Sequence, residues 1–260
     1  MNEKPVKFID LSCDLGEAST ADEDLVEARI WPLITSANVA CGGHTGDAAT
    51  MRRAVERART HSVALGAHPS YPDRAHFGRE RIPISSSALV DSLFEQMSAL
   101  ATVARESGLS LAHVKPHGAL YNDAHHDRAL AESIVAAVIR FGRGVAIVCS
   151  PVSALLTASR QAGLTTIAEG FADRRYQPDG SLQPRREKDA LILEPLEAAG
   201  QALFLAAEGK ASTAHGAAID VVAATICIHS DMPRSVERLE AIRKTLAAAG
   251  FGFRSCPARP

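Results

Sequence analysis

Three stretches of this chain place titratable side chains at every second position. Asp10, Ser12 and Asp14 are interleaved with Ile9, Leu11 and Cys13. His113, Lys115 and His117 form a second such set. Thr225, Cys227, His229 and Asp231 form a third, opposite Ile226 and Ile228. In an extended strand, positions i, i+2 and i+4 share a face. Each set therefore presents its polar groups to one side and its apolar groups to the other. Carboxylate, imidazole and ammonium groups on a common face are the means of proton transfer and charge stabilisation. Further apolar runs end the same way: one leads through Asn38 to His44, one ends at His68 just before Pro69, and one passes through Glu169 into Asp173 and Arg174. One buried histidine is an ordinary core residue. Asp, His or Lys at six strand ends would need as many separate structural reasons, and an unpaired buried ion is costly. A shared polar site is the simpler account.

Two kinds of segment border these groups. Residues 41–47, CGGHTGD, follow an apolar run and precede a helical one. The glycines allow a tight turn, and a helix N-terminus offers free N–H groups to an anion. Gly42, His44 and Asp47 are thus candidate ligand contacts, Asp47 having N-capping as its plainer role. Residues 69–83 and 173–186 are long, charged and aromatic; they contain Tyr71, Arg74, Phe77 and Arg79, and Arg174, Arg175, Tyr176 and Arg185. Loops of this length are commonly functional, and these could clamp an acidic ligand. No GxxxxGK[ST] phosphate loop and no GxGxxG after a strand occurs, so the chain carries no nucleotide-binding motif of its own.

What positions these groups is an alternation of strands and helices. Apolar, β-rich runs span 6–13, 33–41, 63–68, 109–114, 144–149, 165–171, 190–193 and 221–229. Helically spaced stripes lie between them: Ala48, Met51, Ala54, Val55 and Ala58; Leu89, Leu93, Met97 and Leu100; Leu130, Ile134, Val135 and Val138; and Val236, Leu239, Ile242 and Leu246, after Pro233 and before Gly250. The order predicts a parallel sheet. With 260 residues, 46% apolar, and no linker or composition shift, it predicts one α/β domain: a β/α barrel of seven or eight mostly parallel strands, possibly distorted, with an open doubly wound sheet as the alternative. In a barrel all strand C-termini meet at one mouth, where active sites are built. A net charge of −2 without a basic stripe argues against nucleic acid. No apolar run reaches membrane-spanning length, the start carries no leader-like stretch, and the five cysteines are scattered; the expectation is a cytoplasmic protein with reduced thiols.

Seven blocks carry a resemblance: IDLSCDLGE (9–17), SANVACGGHTGD (36–47), GAHPSYPD (66–73), FGR (77–79), HVKPHGALYN (113–122), EGFADRRY (169–176) and CIHSD (227–231). In this order they resemble the LamB/YcsF family of lactam-utilisation proteins, which includes the A subunit of bacterial 5-oxoprolinase. The resemblance implies a barrel similar to that of the polysaccharide deacetylases. It implies ATP-dependent cleavage of 5-oxo-L-proline to L-glutamate, with two partner subunits, B and C. Ser12, Gly43, Thr45 and Ser230 stand where the family usually has Asn, Phe, Ala and Gly, and Glu80 where it often has Arg; these departures bear on the substrate, not on the fold.

Opening a lactam needs an activated water, a stabiliser for the oxyanion and an acid for the leaving nitrogen. On that implication Asp14 and His68 are the candidates to orient and deprotonate water, Lys115 to meet the oxyanion or a phosphate, and His117 to act as the acid. Asp173 completes the catalytic set. Asn38, Gly42, His44 and Asp47 would hold a carboxylate or phosphate, with Arg79, Tyr121, Arg174, His229 and Asp231 around them. ATP would be used by the partners. Two alternatives remain open: a divalent-metal amidohydrolase with Asp14, His44 and His68 as ligands, and a non-catalytic anion-binding subunit. Lys115 has no evident structural duty in the sequence, so Lys115→Met is expected to abolish turnover without lowering the melting temperature by more than a few degrees.

Overall fold

The computed structural model describes residues 6–256. Its strands and helices alternate: β1 (Lys7–Leu15), α1 (Ala21–Ile30), β2 (Ser36–Ala40), α2 (Ala48–His61), β3 (Ala64–His68), α3 (Ser86–Glu106), β4 (His113–Val114), α4 (Gly118–His126), α5 (Arg128–Phe141), β5 (Ala146–Cys149), α6 (Ala154–Gln161), β6 (Thr166–Phe171), α7 (Pro195–Glu208), β7 (Lys210–Ser212), β8 (Ala218–Asp220), β9 (Thr225–His229), α8 (Ser235–Ala248) and β10 (Phe251–Phe253). Strands β1 to β6 pair in sequence order, all parallel, and β9 pairs with both β6 and β1. The result is a closed seven-stranded parallel barrel. Outside it, β10 adds to the start of β1, and β7 and β8 form a small antiparallel pair.

The four predicted stripes fall on α2, α3, α5 and α8. Met51, Ala54, Val55 and Ala58 of α2, and Leu239, Ile242 and Leu246 of α8, are buried. Side chains set several helix starts: Thr20 forms a capping box with Glu23, Asp47 caps α2, and Ser85, Asp127 and Ser153 cap α3, α5 and α6. The core lies between helices and barrel, where Leu11, Cys13, Val39, Leu65, Ile147, Ile226 and Ile228 point outward. No helix among the described residues is long and apolar enough to cross a membrane, and the five cysteines are unpaired.

Residues 190–193, expected as a strand, are not part of the barrel. Leu191 makes one isolated antiparallel bridge with Arg174, and Ile192 N–H donates to the Asp173 carbonyl. Having left the barrel after β6, the chain folds back on its own loop there. Its apolar residues Ala190 and Ile192 are buried by that return, which is why they read as a strand.

The barrel lumen is polar over much of its wall, where such barrels are usually filled by branched apolar residues, and an apolar patch of Ala146, Val148 and Ile167 lies on β5 and β6. Thr35 and Ser36 hydroxyls donate to Asp10, the Thr225 hydroxyl donates to Ser12, and His113 Nε2 meets Asn38 Oδ1 at 2.8 Å. Gly66 makes room for that last contact: a Cβ there would lie 2.0 Å from His113 Nε2. Burial raises the Asp10 carboxyl to about 6, against the lowering effect of those hydroxyls.

Candidate functional site

At the C-terminal end of the barrel, β1, β4 and β6 bring three charges together. Lys115 Nζ donates to Asp14 Oδ1 at 2.8 Å and lies 3.0 Å from Glu169 Oε1. Its third contact is Cys227 Sγ, at 3.1 Å. All four side chains are buried. Burial alone would lower the Lys115 ammonium, but the negative charge around it, Asp14 foremost, holds it well above its usual value. Burial would likewise raise Asp14, yet His68 and Lys115 hold it well below the ordinary carboxylate range. Glu169 is raised by burial, with Lys115 opposing. Lys115 is therefore structural as well as electrostatic: its protons are engaged, and only the contact to the thiol, a weak acceptor, is readily exchanged for an incoming oxyanion.

Three histidines are arranged around Asp14. His68 Nδ1 bonds the Lys115 carbonyl at 2.8 Å, and its Nε2 lies 3.3 Å from Asp14 Oδ2. His117 Nε2 bonds the Phe77 carbonyl at 3.0 Å, which leaves Nδ1 as its other nitrogen, turned to His68 Nε2 at 2.9 Å and away from a departing amine. His229 Nδ1 bonds Asp173 at 3.0 Å, and the His229 backbone N–H donates to the same carboxylate at 2.7 Å. Burial would raise Asp173, but these bonds, and the His229 charge whenever that ring is protonated, keep it low; burial lowers His229 itself, which favours the neutral ring. With its Nδ1 so held, His229 turns Nε2 toward Asp14, 3.9 Å from Oδ2.

A cavity of about 310 Å³ opens over these groups. Asp14, His68, Lys115, His117, Tyr121, Arg174 and His229 line it, with Arg79, Arg185 and Arg186 at its rim. Arg174 is buried, donates to the Gln183 carbonyl at 2.6 Å, and leaves its Nε–H without an acceptor. Burial and nearby Arg185 lower it to about 10. Asp231 ties Arg79 to Arg185 across the mouth. Beyond that bridge a second cavity, about 820 Å³, is lined by Glu17, His44, Thr45, Arg74 and Arg79. His44 thus joins the cluster from the other side: its ring stacks on His117 with centroids 3.6 Å apart, and its Nε2 meets Glu17 Oε1 at 2.9 Å. Burial lowers His44 to about 3; burial and the Asp14 charge raise Glu17 to about 8.

Four of the sequence candidates line neither cavity: Asp173, fully buried behind His229, and Asn38, Asp47 and Gly42. Asn38 is fully buried beneath the cavities, and its Nδ2 donates to Asp14 Oδ1 at 2.8 Å; it positions Asp14. Asp47 is exposed, its carboxylate occupied by the N–H groups of Ala49 and Thr50. The α2 N-terminus is therefore already capped and does not face the cluster. Gly42 lines neither cavity; its carbonyl accepts from Arg74. At Gly43 a Cβ would lie 2.3 Å from Gln96 Oε1, so Gln96 fills the space a larger side chain would need. Ser230 donates to the Asp14 carbonyl at 2.7 Å.

Two groups were not assigned from sequence. Glu169 follows the alternation Ile167, Glu169, Phe171 along β6, a signal that could have found it. Glu17 follows Gly16, whose φ of +75° breaks the alternation of β1, so parity could not place it. Among the described residues two sets of side chains could hold a metal ion: Asp14, His68 and His117, and Glu17, His44 and His117.

Comparison with known proteins shows the family and the fold. The model of the LamB/YcsF family matches residues 9–259. The A subunit of 5-oxoprolinase from Chloroflexus aggregans is 44% identical over 247 residues, covering 95% of this chain and 98% of that one. A crystal structure of the lactam utilization protein from Thermus thermophilus superposes with a TM-score of 0.87 at 38% identity, over 95% of this chain and 99% of the other. The catalytic domain of a peptidoglycan N-acetylglucosamine deacetylase from Eubacterium rectale shares the fold, with a TM-score of 0.53 at 12% identity over 99% and 92% of the two chains.

Proposed function

The chain belongs to the LamB/YcsF family, and on that premise we propose that it is the ring-opening subunit of an ATP-dependent 5-oxoprolinase, converting 5-oxo-L-proline to L-glutamate together with B and C partner subunits. The observation that carries this reading is the cavity of about 310 Å³, with a histidine–aspartate pair on its wall and a buried, unpartnered arginine N–H beside it, in a chain so similar to the A subunit of a 5-oxoprolinase.

The substrate is a small anion with one amide to break. The Arg174 guanidinium and the rim arginines, which line the cavity, suit its carboxylate or an attached phosphate. An unstrained lactam opens unfavourably in water, so ATP is spent on activation. With no phosphate loop in this sequence, that step falls to the partners, which phosphorylate the amide oxygen. Water then adds to C5. His229 takes its proton at Nε2, with Asp173 holding Nδ1. The proton passes from His229 to nitrogen, the new C5 hydroxyl gives its own proton to the same nitrogen as the C5–N bond breaks, and γ-glutamyl phosphate results. A second water releases phosphate and leaves glutamate. Lys115 supplies positive potential beside C5 and exchanges its thiol contact for the oxyanion.

The test is glutamate release from purified components. This reading expects product only when the chain, its partners and ATP are combined. Robust product from the isolated chain, or from the partners without it, would overturn the division of labour. Lactam binding with no product in the complete mixture would leave a non-catalytic binding subunit.

A further inference from the structure

Two imidazoles in the barrel mouth face each other with bare nitrogens. His68 Nδ1 is 2.8 Å from the Lys115 carbonyl, and His117 Nε2 is 3.0 Å from the Phe77 carbonyl. A carbonyl oxygen only accepts, so each of those nitrogens carries the ring proton. In the neutral rings the remaining nitrogens, His68 Nε2 and His117 Nδ1, then hold lone pairs, yet they stand 2.9 Å apart. Lone pairs do not bond each other; a positive species belongs between them. Asp14 Oδ2 lies 3.3 Å from His68 Nε2, and Glu17 Oε1 is 3.6 Å from His117 Nδ1. An extra proton would create an imidazolium in a buried site, at a cost in desolvation.

We propose that Asp14, His68 and His117 form a binding site for one divalent first-row transition-metal ion. Donors at ~2.1 Å from one ion stand ~3.0 Å apart at a right angle and ~3.4 Å apart at the tetrahedral angle. The two measured separations, 2.9 and 3.3 Å, have those lengths. The atoms behind the donors are tied as well. The two carbonyls fix the imidazole orientations, the usual outer partners of ligating histidines. Asn38 Nδ2 and Lys115 Nζ both hold Asp14 Oδ1, which leaves Oδ2 for an ion. Two imidazoles with one carboxylate favour Zn²⁺, Mn²⁺, Co²⁺ or Ni²⁺ over Mg²⁺ and Ca²⁺. All three residues line the cavity of about 310 Å³, so an ion would have an open side to solvent and could act there as a Lewis acid. His44, a ligand candidate from sequence, is replaced by His117, its own Nε2 being given to Glu17. The site does not depend on the ring-opening reading.

The experiment is metal binding by the full chain after chelator treatment. Zn²⁺, Mn²⁺ and Co²⁺ are titrated separately by calorimetry, with metal content measured after dialysis. One ion per chain is expected, with affinity at least ~100-fold weaker in His68→Ala and His117→Ala and near wild type in Tyr121→Phe. Circular dichroism establishes that each variant is folded. Nitrogen NMR of the wild type supplies a reading independent of variants: added Zn²⁺ should shift His68 Nε2 and His117 Nδ1, but not their protonated partners. Failure of all three ions to bind wild type, equal binding by both histidine variants, or a proton retained between the two nitrogens at saturating Zn²⁺ would each overturn the proposal. None of these results bears on whether glutamate is formed.

Discussion

Replacing Lys115 by Met removes the cation between two buried carboxylates, Asp14 at 2.8 Å and Glu169 at 3.0 Å. The sequence reading expected little effect on stability; the structure reverses that. Breaking a buried pair by deleting one partner costs about 3–5 kcal/mol, because the other charge stays buried and uncompensated. Here two carboxylates lose their partner, and Asp14 retains on Oδ1 the Asn38 donor and a weak thiol donor from Cys227. Glu169 can relieve part of the cost by taking up a proton, since burial already raises it. That places the loss near the lower end of the range. At about 2–4 °C per kcal/mol for a chain of this size, the melting temperature should fall by about 10 °C. Thermal unfolding followed by circular dichroism at neutral pH measures it. The double variant Lys115→Met/Glu169→Gln should recover part of the loss by removing one of the two charges. A single variant melting within about 2 °C of wild type would refute the reasoning, as would a double variant less stable than the single one.

Other outcomes follow from the same geometry. Arg174→Ala removes a guanidinium that lines the cavity and should raise KM for the lactam about 10–100-fold, the worth of one charge-assisted hydrogen bond; an unchanged KM in the steady-state glutamate assay would place the anion elsewhere. Asp10, raised from 3.8 to about 6 by burial, keeps a proton in the folded state that the unfolded chain has released. Its contribution is full below its unfolded value and is lost as pH rises through about 6. Denaturant unfolding should therefore show Asp10→Asn gaining on wild type by about 2 kcal/mol between pH 4 and pH 7, and parallel pH curves would contradict this. Gly66→Ala drives a Cβ to 2.0 Å from His113 Nε2, in a layer where the backbone is hydrogen-bonded on both sides. It should lower stability by at least about 2 kcal/mol, read as a shift in denaturation midpoint.

The strand periodicity made the barrel and much of its mouth readable. Asp10, Ser12 and Asp14 alternate with Leu11 and Cys13 because one side of β1 meets the lumen and the other meets helices, and the same parity placed Lys115 and His229. The reasoning failed where a local feature interrupts the pattern. Gly16 turns the chain at positive φ and hides Glu17. Ala190 and Ile192 are apolar because they pack under their own loop. The 41–47 turn looked like an anion cradle, but Asp47 occupies the helix N–H groups itself. Roles within the cluster were least legible. Which nitrogen of His117 or His229 is free depends on the Phe77 carbonyl and on Asp173, 40 and 56 residues away in the chain.

The central claim is that ring opening occurs on this chain after its partners have spent ATP. The most direct measurement is a single-turnover reaction of the reconstituted enzyme carrying His229→Gln, with ADP and glutamate followed in the same samples. His229 has its Nδ1 on Asp173 and its Nε2 toward the cavity, so its loss should leave the activating step intact. The account predicts ADP formation at close to the wild-type rate, with glutamate slowed about 10²–10⁴-fold. Glutamate appearing at the wild-type rate would contradict it.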